Sequence, residues 1–155
     1  MKLIALTLMG FAFNWGFSQN HTIITTDYLA VKDALVAGKQ NEASDASKKL
    51  LATLSKESGG FNLETKKIWD EEKTTLIKDF ETIAKSNGIE AQRIAFASVS
   101  PGFWKFLKVY SSSEKLFYDY CPMKKSYWIS ADEKIKNPYY GSQMLTCGKV
   151  AEKIN

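Results

Sequence analysis

Four apolar stripes at helical spacing, each closed by glycine or a polar break, constrain this chain more than any other feature. Tyr28, Val31 and Leu35 recur at i, i+3 and i+7, and Gly38 follows as a stop. From about Asn41, residues Ala43, Ala46, Leu50 and Leu54 face one way while Lys48, Lys49 and Lys56 face the other, up to Gly59-Gly60. Asn62 is placed to cap a third helix reaching about Asn87, with Trp69, Leu76, Phe80 and Ile83 as its stripe. Gly88 separates it from a fourth that starts near Ile89 and carries Ile94, Phe96 and Val99. Pro101 lacks an N–H and clashes with the preceding turn, so a kink is expected there, or a restart capped by Ser100, before Phe103, Phe106, Leu107 and Tyr110 continue the stripe. Amphipathic helices with connections this short predict an up-and-down four-helix bundle. The first helix is expected to start at Thr26-Asp27, after a loose polar stretch over 19–25.

The style changes at Ser111-Ser112-Ser113. Beyond it aromatics are dense, and Leu116 to Tyr120 and Tyr127 to Ile129 read as short extended pieces or strands. Asn137-Pro138 signals a turn. A tail of this size cannot own a core, so residues 111–155 are expected to pack on the bundle of 26–110 as an extended or β cap belonging to the same domain. The expected class is therefore mainly α, and 155 residues suit one domain.

The first residues read as an export signal over 1–18. Lys2 is its basic start, Leu3 to Phe13 its apolar run, and Gly16-Phe17-Ser18 the cleavage site before Gln19. That run is short for a membrane span, and no other segment is apolar for long enough. No cysteine follows the signal to carry a lipid anchor. The mature chain is thus expected in the periplasm or outside the cell, with no stable membrane insertion. Net charge is +4, with lysines and acids interleaved, which gives no nucleic-acid footprint.

The chain has two cysteines, each with a methionine nearby: Cys121 with Met123, and Cys147 with Met144. Thiolate and thioether are the ligands that select Cu(I) and similar soft ions. Cys121 and Met123 share a face if extended, and Met144 and Cys147 share one on a helical turn. A turn over Asn137 to Gly141 would bring the four sulfurs together. Two cysteines in an oxidising compartment are equally the minimal disulfide. A Cys121–Cys147 bridge closing 26 residues would contribute roughly 3–4 kcal/mol in the chain-entropy account, with both methionines as core fillers. Both chemistries remain open at this point.

Catalytic arrangements are poorly supported. His21 is the single histidine and lies in the N-terminal stretch, leaving none in the body for a Ser-His-Asp or Cys-His pairing. Cys-Pro-Met offers one sulfur where a thiol oxidoreductase uses Cys-x-x-Cys. Glu71-Glu72, Glu81 and Asp132-Glu133 stand among lysines, as on a solvated face. The glycines form no phosphate cradle. Tyr127, Trp128, Tyr139 and Tyr140 could shield a metal or line a partner groove, with Trp128 expected to keep water from the sulfurs. The plainer alternative is that these rings bury the tail against the bundle.

The order Tyr28 to Leu35, Ile83-Ala84, Gln92 to Phe96, Tyr120-Cys121-Pro122-Met123, Tyr127-Trp128, and Asn137-Pro138-Tyr139-Tyr140-Gly141 with Met144 and Cys147-Gly148 resembles a known family. It is a domain-of-unknown-function family of exported bacterial domains, most common in Bacteroidetes. Its members occur alone after a signal peptide or fused to the periplasmic adaptor subunit of copper/silver efflux pumps. The resemblance spans about Tyr28 to Val150. It implies a helical periplasmic domain with a role near soft metals, a Cu(I)- or Ag(I)-type binding or efflux-accessory domain, and the residues themselves give the expectation that it is not an enzyme. Its partner would be the ion itself, an efflux protein or another envelope protein. Cys121, Met123, Met144 and Cys147 would be the ligands. The alternative is an interaction or structural module stapled by the disulfide. Lys124-Lys125 stands where smaller or more neutral residues are expected. Two cations there repel a bound cation, yet they favour thiolate.

Overall fold

A computed structural model describes residues 22–111 and 113–154. The export signal, residues 19–21 and His21 with them lie outside the described residues. Four helices run in order, α1 (Ile23–Val36), α2 (Gln40–Glu57), α3 (Leu63–Lys85) and α4 (Ile89–Tyr110), and a three-stranded sheet follows. Consecutive helices pack side by side, and α1 also touches α4, which closes an up-and-down bundle. No described helix is long and apolar enough to cross a membrane.

The start of α1 differs from expectation. Thr22 is the cap, its hydroxyl accepting from the Thr25 N–H at 3.3 Å. Ile24 and Thr25 are fully buried, so the stretch expected to be loose is helical from Ile23 onward. Packing explains the earlier start: Ile24 has a place in the core that a frayed segment could not fill. Asp27 is no cap. It is buried, accepting from Thr53 Oγ1 at 2.6 Å and pairing with Lys49 Nζ at 2.8 Å, which ties α1 to α2. The other boundaries fall close to their sequence signals. Gly38, at φ +70°, ends α1, and the Lys39 N–H reaches back to the Ala34 carbonyl at 2.9 Å, as in a Schellman stop. Asn62 Oδ1 accepts from the Thr65 N–H at 2.9 Å and caps α3.

α4 runs without a break through Pro101. The proline ring is exposed, and Phe103, Phe106 and Leu107 beyond it are fully buried, so the stripe on both sides of it is anchored in one core. Ser100 is therefore interior rather than a cap. A chain of hydrogen bonds passes through it: the Ile129 N–H donates to Tyr28 Oη at 3.2 Å, Tyr28 Oη to Ser100 Oγ at 3.1 Å, and Ser100 Oγ to the Phe96 carbonyl at 2.7 Å. The Tyr28 ring stacks between Phe96 and Phe103 at 5.2 and 4.7 Å, so its hydroxyl reaches the cap from the centre of the bundle. Burial pushes that phenol far above its ordinary pKa, keeping it a donor. Ile94, assigned to the apolar stripe, is instead 61% exposed. Its neighbour Arg93 takes the inward position.

The cap is an antiparallel sheet in the order β2-β1-β3, formed by β1 (Leu116–Cys121), β2 (Ser126–Ser130) and β3 (Lys149–Ile154). The strand β3 was not anticipated. One face of the sheet lies on the bundle, where Tyr118 stacks on Trp104 of α4 at 5.0 Å and Ile129 meets Tyr28. Asp119, Cys121 and Trp128 belong to the other face, over which the segment 131–148 folds. Arg93 locks that segment down. Its Nε donates to the Pro138 carbonyl at 2.9 Å, Nη2 to the Leu35 carbonyl at 3.3 Å, and Nη1 pairs with Glu90 at 2.8 Å.

Candidate functional site

The site grows from the end of β1. Cys121 is its last residue and is fully buried. Pro122 to Lys125 form the turn into β2, with Lys125 at φ +55°. The turn directs the Lys124 N–H at Cys121 Sγ, 3.4 Å away.

The tail then returns to that place. Asn137, fully buried, organises the return through four bonds: its N–H to the Leu145 carbonyl (2.8 Å), its carbonyl from the Gly141 N–H (3.1 Å), its Oδ1 from the Tyr139 N–H (2.8 Å) and its Nδ2 to the Cys147 carbonyl (2.7 Å). The Cys147 N–H donates to the Met144 carbonyl at 3.1 Å. Gly148 comes next, and a side chain there has no room: a Cβ would lie 2.7 Å from the Trp128 ring and 3.1 Å from the Tyr120 carbonyl. The pairing of Tyr120 with Lys149 then sets the register that brings Cys147 beside Cys121.

The two thiols meet as free cysteines. Cys147 is half-buried. Desolvation pushes its thiol up, contact with Cys121 adds to this, and the Met123 N–H acts in the opposite direction. The doubling-back expected from the sequence is therefore present for the thiols. The methionines flank them at the surface: the Met123 backbone lies against Cys147, its side chain 64% exposed, and Met144 is 37% exposed in the turn that holds Cys147. Among the described residues no group of three or more His, Cys, Asp or Glu side chains could hold a metal ion, so a metal here depends on the thioethers.

The aromatic residues pack in and against the core. Trp128 is fully buried and its ring lies against the Gly148 backbone. Tyr139 packs between Trp128 and Phe96, with ring centroids 5.9 and 6.3 Å away, and its hydroxyl donates to the Tyr127 carbonyl. Tyr127 stacks on Tyr118 at 4.6 Å, and Tyr140 is partly buried against the core. These rings seat the tail on the bundle.

Sequence reasoning passed over two buried polar positions near the thiols. Asn137 was read as a turn former only; its burial depends on the fold. Asp119, one step before Cys121 on the same face of β1, is fully buried, and neither of its carboxylate oxygens makes a hydrogen bond of ordinary geometry. Trp128 Nε1, on its cross-strand neighbour, is likewise without one, yet it lies close enough to the carboxyl to act against the effect of burial. Burial raises the Asp119 carboxyl to about 7 despite the nearby Lys32, whose ammonium pairs with Asp33 at 2.6 Å. Its alternating position on a strand gave no hint that it faces inward.

Because Asn137 holds the Cys147 carbonyl, Asn137→Ala is expected to cost about 2–3 kcal/mol, leaving buried backbone groups unpaired. Cys147 should then be alkylated on the order of tenfold faster, since local opening of the loop becomes easier. Denaturant unfolding and mass-resolved labelling measure the two effects. Labelling at the parent rate would show that Asn137 does not hold the cysteine in place.

Residues 24–115 match the family described as protein of unknown function, DUF3347. The chain belongs to this family. No curated protein and no solved structure matches it. The matched span runs from the second residue of α1 through α4 and stops one residue before β1. In this DUF3347 chain the paired thiols, their methionines and the loop that positions them therefore lie beyond the part that carries the family match.

Proposed function

We propose that this chain is an exported, non-enzymatic domain that binds a soft monovalent ion of the Cu(I) or Ag(I) type, as a store or as an accessory to efflux. Cys121 and Cys147 supply thiolates, and Met123 and Met144 supply thioethers. The observation that supports this reading is the contact between two free thiols 26 residues apart, each with a methionine nearby. The Lys124 N–H directed at Cys121 Sγ suits a sulfur ligand. Ligands of this softness discriminate against Mg²⁺ and Ca²⁺.

The test is a competition titration of the reduced protein with Cu(I) against bicinchoninate. One ion per chain is expected. Cys121→Ser or Cys147→Ser should weaken binding about a hundredfold, and the double change Met123→Leu with Met144→Leu about tenfold, the thiolates being the stronger donors. Failure of the reduced parent protein to draw Cu(I) from the chelator would end the metal reading.

The same contact suits a second reading, in which an oxidising compartment closes a Cys121–Cys147 disulfide that staples an interaction module. Thiols of protein taken from the envelope that label only after reduction would favour it.

A further inference from the structure

The charge around the sulfurs decides in what form an ion can approach them. Residues 120–127, which carry Cys121 and Met123, include Lys124 and Lys125 and no carboxylate. Residues 140–151, which carry Met144 and Cys147, include Lys149 and no carboxylate. Lys125 and Lys149 are exposed and Lys124 is half-buried. The acids on the flanking strands do not neutralise them. Asp119 is buried, and Glu152 is held by Trp104 Nε1 at 2.8 Å and Lys108 Nζ at 3.2 Å.

The backbone keeps two of these cations next to Cys121. Lys124 is tied through its N–H to Cys121 Sγ and Lys125 occupies the turn, whereas Lys149, paired with Tyr120, belongs to the opposite face of the sheet. Met123 and Met144 are exposed and Cys147 is half-buried, while Cys121 is closed off. The charges of Lys124 and Lys125, which form no ion pair among the described residues, repel a bare cation and attract an anion. A soft monovalent ion held by two thiolates is itself an anion.

Resting on the soft-ion reading above, we propose that the site takes its ion from a small anionic complex, a bis-thiolate or a chelate of similar charge, by ligand exchange. The exposed thioethers meet the ion first. Cys121 and Cys147 then replace the two carrier thiolates, and each cysteine proton passes to a departing thiolate. Two metal–sulfur bonds form, two break, and no electron changes hands. The lysines that make the site a poor trap for a free cation make it a good receiver for the complex.

Stopped-flow transfer of Cu(I) from its bis-bicinchoninate trianion to the reduced full chain tests this. The rate is expected to fall about tenfold as ionic strength rises from roughly 10 mM to roughly 200 mM, as steering by a few charges is screened. The combined surface variant Lys124→Gln and Lys125→Gln should transfer slowly at every ionic strength, while its equilibrium Cu(I) affinity stays within about threefold of the parent. From the cationic bis-neocuproine complex, added salt should instead speed transfer. A parent rate insensitive to salt, or a double variant as fast as the parent, would overturn the proposal while the equilibrium titration still stood. Absence of Cu(I) uptake at equilibrium would remove the soft-ion reading, and this proposal with it.

Discussion

Trp128→Ala is expected to destabilise the protein by about 3–5 kcal/mol, the range for emptying a buried aromatic site. The indole is fully buried, meets Tyr139 edge-on at 5.9 Å and lies directly beneath Gly148. Its removal leaves a cavity between the sheet and the returning segment. Trp128 belongs to the same continuous core as Tyr28, Phe80, Phe96 and Phe103, but the emptied site lies in the cap. The cap should therefore loosen first, and the contact between Cys121 and Cys147 should be lost with it. Urea unfolding under reductant gives the energy, and the near-ultraviolet dichroism of the cap aromatics gives the order of events. A variant within about 1 kcal/mol of the parent would mean that the segment 131–148 is held chiefly by Arg93 and Asn137.

Asp119→Asn is expected to act in the opposite direction, and only above mildly acidic pH. The Asp119 carboxyl is raised to about 7 in the folded protein, against about 3.9 for an unfolded chain. Between those values the folded state holds a proton that the unfolded state has released, so this group makes stability fall as pH rises. The loss begins near pH 4 and is complete just above pH 7, where it amounts to something on the order of 4 kcal/mol. Asparagine has the same shape and no charge, so it removes this slope. Part of the gain is lost because the amide is still buried without a good partner, leaving on the order of 2 kcal/mol in favour of the variant at pH 8. The difference between parent and variant at pH 4.5 and pH 8 isolates this group from the exposed carboxylates. Equal differences at the two pH values would show that Asp119 is solvated or paired. Keeping such a residue one step from Cys121 sacrifices stability, which is the pattern expected where function constrains a position.

The helices were legible because they are decided locally. Gly38 and Asn62 end and begin helices by conformation and capping, and the stripes of α2 and α3 face inward as their spacing requires. The errors came where packing overrides local chemistry. Thr26-Asp27 has a capping composition, but Ile24 is worth more in the core than outside it. Pro101 sacrifices one hydrogen bond, yet burial of Phe103, Phe106 and Leu107 keeps α4 going. β3 has the composition Lys-Val-Ala-Glu-Lys-Ile, with no alternation strong enough to mark a strand, and it exists because β1 offers it an edge.

The candidate site divides along the same line. The identity of its sulfur ligands and their spacing are properties of the chain alone, since softness belongs to atoms and not to their arrangement. That the thiols touch was decided by long-range contacts: Asn137 on the Cys147 carbonyl, Arg93 on Pro138, Gly148 against Trp128, and the register of β3 on β1. Each of these joins residues that are neighbours only after folding, and a buried amide, guanidinium or carboxylate acquires its role from what surrounds it.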